Sequence, residues 1–129
     1  MVERFLKLTA RNVLTVVSIP EVRDKEQDGR FNQFVHNEID CDIYESVYLQ
    51  IMADQDIVML VDENGILKQK PINIFPWFLY SECDFNSPIV GDVLFVGLHR
   101  VGELDELDFC GLTQKQIDYM TDLFNRFAF

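Results

Sequence analysis

The sequence predicts an α+β fold: a small, mainly antiparallel sheet with a C-terminal helix packed on one face and one or two short helices besides. Three stretches predict it. An apolar run at residues 57–61 enters Asp62-Glu63-Asn64-Gly65 and then Ile66-Leu67, a hairpin pattern whose Asn-Gly supplies the two positive-φ positions of a type I′ turn. Residues 89–98, IVGDVLFVGL, read as a second apolar strand. Near the end, Ile117, Met120, Leu123, Phe124 and Phe127 make one apolar stripe at helical spacing.

The remaining elements follow in chain order. Residues 13–19 (VLTVVSI) are rich in β-branched side chains and stop at Pro20, which predicts a strand. Residues 2–8 are ambiguous alone, but Arg11-Asn12 suits a turn joining two strands. Residues 21–30 are charged, contain Gly29 and read as a loop. Phe31, Phe34, Val35 and Ile39 recur at the spacing of a short amphipathic helix. Ile43, Val47, Leu49 and Ile51, with Tyr44 and Tyr48, predict a further strand. In PINIFPWFLY, Asn73 can cap and Pro76 fits a first helical turn, so a short helix or tight aromatic turn is expected. Gly91, inside the strand opened by Pro88, marks a bulge or a close backbone approach. Residues 101–111 read as an acidic loop anchored by Leu104, Leu107 and Phe109. Thr113 and Gln116 then form a capping box, with Leu112 placed to staple onto Ile117.

A chain of 129 residues fits one α+β domain, residues 1–129. Its 48% apolar content and eleven Phe exclude a disordered acidic tail. No apolar run reaches the roughly 18 residues of a membrane span, and the first residues lack a secretory pattern, so a cytoplasmic protein is expected. Cys41, Cys83 and Cys110 are odd in number and widely spaced, which favours free thiols over a disulfide framework or zinc site. Charge is uneven. Up to Arg30 there are six basic and five acidic residues; from Phe31 onward there are five basic and seventeen acidic. Such a body repels nucleic-acid phosphates and attracts basic proteins, although solubility alone also explains it.

Motifs of chemistry are scarce. Asp24, Glu26, Asp28 and Gly29 resemble the opening of a calcium loop, which fails at its twelfth place, Val35. Asp40 and Asp42 would share a face of a strand, with Glu45 nearby, but nothing fixes further metal ligands. Cys83 and His99 flank one strand and could pair as nucleophile and base, though no spacing requires it. G-x-S-x-G, a phosphate-binding loop and a dinucleotide fingerprint are absent. No catalytic residue, metal or cofactor is therefore assigned. Phe75, Trp77, Phe78 and Tyr80 are either core or an aromatic anchor for a partner or ligand. The segment Glu103 to Asp108 carries four carboxylates and no base.

Val61-Asp62-Glu63-Asn64-Gly65, Pro71-Ile72-Asn73, Ile89-Val90-Gly91-Asp92 and Leu112-Thr113-Gln114-Lys115-Gln116-Ile117 through Leu123-Phe124 together resemble a small family of uncharacterised proteins of bacteriophages, plasmids and integrated elements, mostly of Gram-positive bacteria. The likeness covers roughly residues 43 to 127. It implies a mobile-element accessory protein and brings no catalytic residues with it. The charged segments at 21–30 and 103–108 depart from that pattern.

The expected function is a non-enzymatic acidic interaction protein that inhibits or regulates a basic host protein, a defence or nucleic-acid-handling factor. Asp40, Asp42, Glu45, Glu103, Asp105, Glu106 and Asp108 are its candidate contacts. Direct nucleic-acid and membrane binding are not expected. A nucleotide-like ligand held by Trp77, Phe78 and Tyr80 with His99 or Arg100, and a cysteine enzyme using Cys83, are the alternatives. One helix would leave part of the sheet uncovered, which leaves room for a homodimer.

Overall fold

The computed structural model describes residues 2–20, 28–81, 87–101 and 106–127. Its elements are β1 (Val2–Leu8), β2 (Leu14–Pro20), α1 (Asp28–Glu38), β3 (Tyr44–Val47), α2 (Gln50–Ala53), β4 (Ile57–Asp62), α3 (Ile74–Ser81), β5 (Val93–Val101), β6 (Glu106–Cys110) and α4 (Gln114–Arg126). All pairings of these strands are antiparallel, in the order β2-β1-β5-β4-β3, with β6 also on β5. Leu94 and Phe95 pair with both β1 and β4, while Gly97 pairs with Ile57 and Cys110. β1 and β6 therefore share one edge of β5, and β4 holds the other. The fold is α+β, as the sequence predicts.

β4 shows why the sheet needs cover on both sides. All six of its residues are buried, and alternate side chains of a strand point to opposite faces. Ile57, Met59 and Val61 enter one core with Leu6, Leu8, Val93 and Phe95, closed by Met52 of α2, Phe75 and Leu79 of α3, and Ile117, Met120 and Leu123 of α4. Val58 and Leu60 enter the other core with Phe5, Leu94 and Val96, closed by Val35 of α1 and the Ile39 that follows it. Phe5 is fully buried, its ring 5.9 Å from Phe31 and 5.5 Å from Phe34. The second face, expected to be partly open, is thus occupied by α1. At α4 the capping box forms as predicted, and Leu112 and Ile117 are both buried in the first core.

The hairpin expected at Asn64-Gly65 does not form. Neither residue has positive φ; the left-handed position is Gln69, at φ 56°. Lys68 N–H donates to Asn64 O, Gln69 N–H to Ile66 O and Lys70 N–H to Gly65 O. The last two bonds make a Schellman closure of one helical turn, with Gln69 where glycine is usual. Ile66 and Leu67 are exposed turn residues rather than strand. Gly65 is required for another reason: a Cβ there would lie 2.7 Å from the Val90 side chain.

The strand expected across residues 43–51 is also divided. Leu49 and Met52, three apart, are both buried in the first core, and the chain winds into α2 to bury them together. Tyr119 of α4 fixes that turn by donating its hydroxyl to Ile51 O at 2.6 Å. Asn73 precedes α3 but does not cap it with its side chain. Buried, it donates Nδ2 to Leu8 O and Gly91 O, both at 3.0 Å, tying the end of β1 to the approach of β5. Gly91 lies before β5 rather than inside it; its φ of 77° and the Lys70 side chain, 2.7 Å from a Cβ built there, explain the glycine. The predicted acidic loop is partly strand, since residues 106–110 are β6 and Phe109 packs on the second core beside Phe31.

Candidate protein-binding site

The polar centre of the molecule is Asp62, at the end of β4. Its carboxylate is buried, accepts the Asn64 N–H at 2.9 Å, and lies 2.8 Å from Lys70 Nζ and 3.0 Å from Lys68 Nζ. Burial alone would raise its pKa, but the Lys70 ammonium, the Asn64 N–H and the Lys68 ammonium together hold it below the ordinary value of 3.8. Lys70 also donates to Ile39 O and Asp40 O, and Lys68 to Asp40 O. One buried carboxylate thus fastens the turn after β4 to the corner between α1 and β3.

That corner carries the first group of predicted acids. Asp40 and Asp42 do not share a strand face: they lie in the connection, Asp40 at φ 51°. Lys68 is 3.9 Å from Asp42, so this pair is partly neutralised. Glu45 differs. It is exposed on β3, in register with Val61, and points to the same face as Val47.

On that face a cleft of about 190 Å³ opens at the sheet edge. Val47, Val61, Ile89 and Val90 supply apolar lining; Glu45, Glu63 and Tyr80 bring polar groups, and no Lys or Arg is among the described residues that line it. Asp62 also borders the cleft but is committed to its lysines. The volume falls below the ~300–1,000 Å³ of small-molecule pockets and suits a single side chain. Among the described residues β3 is the last strand on this side of the sheet. Because Glu63 N–H donates to Ile43 O, residues 43, 45 and 47 direct their backbone groups to β4, whereas Tyr44 and Ser46 direct theirs outward.

The aromatic group is dispersed. Phe75 is buried, edge-on to Phe124 at 5.3 Å, and Phe78 stacks obliquely on Phe127. Trp77 is 36% exposed, and only Tyr80 reaches the cleft. His99 is exposed on β5 opposite Asp108 of β6, away from the cleft lining; nothing is described for the Arg100 side chain. Asp108 is exposed and accepts the Phe109 N–H. Glu103 and Asp105 lie outside the described residues, as does the side chain of Glu106. β3 and β6 are separated by three inter-strand spacings, ~14 Å. That exceeds the ~8 Å screening length at physiological salt, so Glu45 and Asp108 act separately.

Cys83 and most of the calcium-like segment also lie outside the described residues. Cys41 and Cys110 are free thiols. Burial, then Asp62, pushes Cys41 up to about 11, and burial, then Glu3, raises Cys110. Neither has the thiolate character of a nucleophile at neutral pH. Among the described residues no three His, Cys, Asp or Glu side chains group as metal ligands, and no helix is long and apolar enough to cross a membrane. Glu63 was not singled out from sequence, because it sat inside a motif read as a hairpin turn.

A family model described as Domain of unknown function (DUF3846) matches residues 12–125. No curated protein and no solved structure matches the chain. The matched description carries no activity.

Proposed function

We propose that this chain, which belongs to the DUF3846 family of domains of unknown function, is a non-enzymatic acidic protein of a phage or mobile element that binds a basic segment of a host protein at the β3 edge. The observation that carries this reading is the cleft, with Glu45 and Glu63 beside an apolar floor and no cationic side chain among its described lining residues. A Lys or Arg side chain entering it lays its stem on Val47, Val61 and Ile89 and its head between the two carboxylates. Tyr80 adds an aromatic face to that cation. The outward backbone groups of Tyr44 and Ser46 let an extended segment run alongside β3, with alternate side chains directed inward.

A net charge of −11 steers basic surfaces toward the protein. Surfaces that bind phosphates are of that kind, which supports a defence or nucleic-acid-handling factor as the host partner and inhibition by occupancy as the effect. The mobile-element and cytoplasmic setting rests on the motif resemblance and the sequence pattern. Asp108 on β6 offers a second contact, extended to Glu103, Asp105 and Glu106 from their place in the sequence alone. The same carboxylates that favour a cation at the cleft oppose a nucleotide phosphate there.

The test uses the wild-type chain and an E45K/E63K variant, each immobilised and exposed to host lysate. The expected result is a basic protein retained by the wild type, released by moderate salt and lost with the variant. Retention unchanged by the double reversal, or indifferent to salt, contradicts the reading.

A further inference from the structure

The two ends of the sheet are built differently. β3 is four residues long and carries Glu45, so two β3 edges of this acidic chain repel one another while a basic segment is accepted. β2, Leu-Thr-Val-Val-Ser-Ile-Pro, is seven residues long and has no charged side chain; within the strand itself the guard is the terminal Pro20. Among the described residues it pairs with β1 alone. Val16, near its centre, is 52% exposed, and Thr15 and Ser18 are exposed as well.

From these observations we infer that β2 is a self-pairing edge: two copies of the chain join β2 to β2 about a two-fold axis through Val16. The hydrogen-bond phase fits this. Thr9 N–H donates to Val13 O, so the bonded pairs of the β1–β2 hairpin continue through Lys7 with Thr15, Phe5 with Val17 and Glu3 with Ile19. Leu14, Val16 and Ser18 are left with backbone N–H and C=O groups directed away from β1. Those three residues are symmetric about Val16. In an antiparallel pair Val16 meets Val16 of the second copy, and Leu14 meets Ser18 in both directions.

Charge admits the second copy here. β2 has no charged side chain, and Lys7 beside it on β1 is paired with Glu38 at 3.3 Å and Asp92 at 3.9 Å. Two copies, each of net charge −11, therefore meet along β2 through uncharged side chains, without the repulsion their net charge otherwise imposes. The product is one continuous sheet with an acidic β3 edge at each far end.

Sedimentation equilibrium of the full chain should give a dimer. V16K places two ammonium groups opposite one another on the axis and should weaken dimerisation by about tenfold or more, with the circular dichroism spectrum unchanged. A fold-independent measurement accompanies it: facing residues of a bonded antiparallel pair have Cα atoms ~5.5 Å apart, within disulfide reach. V16C should therefore form a covalent dimer on mild oxidation far faster than the wild type, which carries only its native thiols. A wild type that stays monomeric at all accessible concentrations, a dimer indifferent to V16K, or V16C cross-linking no faster than wild type overturns the inference. So does open-ended growth beyond the dimer, which would mean β2 pairing with β3 of another copy.

Discussion

Phe75→Ala is expected to cost about 3–5 kcal/mol of folding stability, the range for emptying a large aromatic site in a packed core. Phe75 is 1% exposed and lies among Leu79, Met59, Phe95 and the α4 stripe, edge-on to Phe124. The loss combines the hydrophobic transfer of the ring with the cavity left between α3, α4 and the sheet. Against a total stability of roughly 5–15 kcal/mol for a domain, that is enough to populate unfolded chain. Trp77→Ala, two positions along the same helix, should cost clearly less than Phe75→Ala, because Trp77 is 36% exposed. Urea unfolding of the two variants measures the contrast directly. Equal losses would mean that the aromatic segment packs differently from the arrangement described.

Asp62→Ala is the second large effect, expected at about 3–5 kcal/mol. The substitution leaves Lys70, mostly buried, and Lys68 without their carboxylate, and removes the acceptor that turns the chain at Asn64. Its pH dependence has a definite sign. Because the folded-state pKa of Asp62 is lowered, its contribution is fully present above the ordinary carboxylate value of 3.8 and fades as pH falls through the folded value. The stability gap between wild type and D62A should therefore be constant at neutral pH and narrow in acid below about pH 4. A gap that widened in acid would contradict the assignment.

Much of the fold was legible because its signals are local. The β-branched run of β2, the helical spacing that ends at Ile39, and the Thr113–Gln116 box each act within a few residues. The failures have a common cause in distant partners. Asn64-Gly65 is a strong hairpin signal, yet the turn is decided by Lys68 and Lys70 returning to a buried Asp62 and by Gln69 closing the helical turn. Residues 43–51 have strand composition, but burying Leu49 and Met52 under α4 winds the second half into a helix.

The candidate site was legible only in pieces. Glu45 stood among the predicted acids and Tyr80 among the predicted aromatics, and the structure places both on one cleft. Glu63 was hidden inside the turn motif. No sequence pattern showed that Lys68 would lie 3.9 Å from Asp42, or that β4 and β5 would separate the corner acids from Asp108. Pairings across more than twenty positions are tertiary facts, and charge counted along a chain does not resolve them.

The central claim is that the β3 edge, with its cleft, receives a basic extended segment. Its most direct test is an NMR titration of the labelled chain with a short peptide of alternating arginine and threonine, followed by backbone amide shifts. The account predicts saturable, salt-sensitive shifts at Tyr44 to Val47, Glu63 to Ile66, Tyr80 and Ser87 to Val90, abolished in E45K/E63K. Shifts spread evenly over the acidic surface, or none in that group, would contradict it.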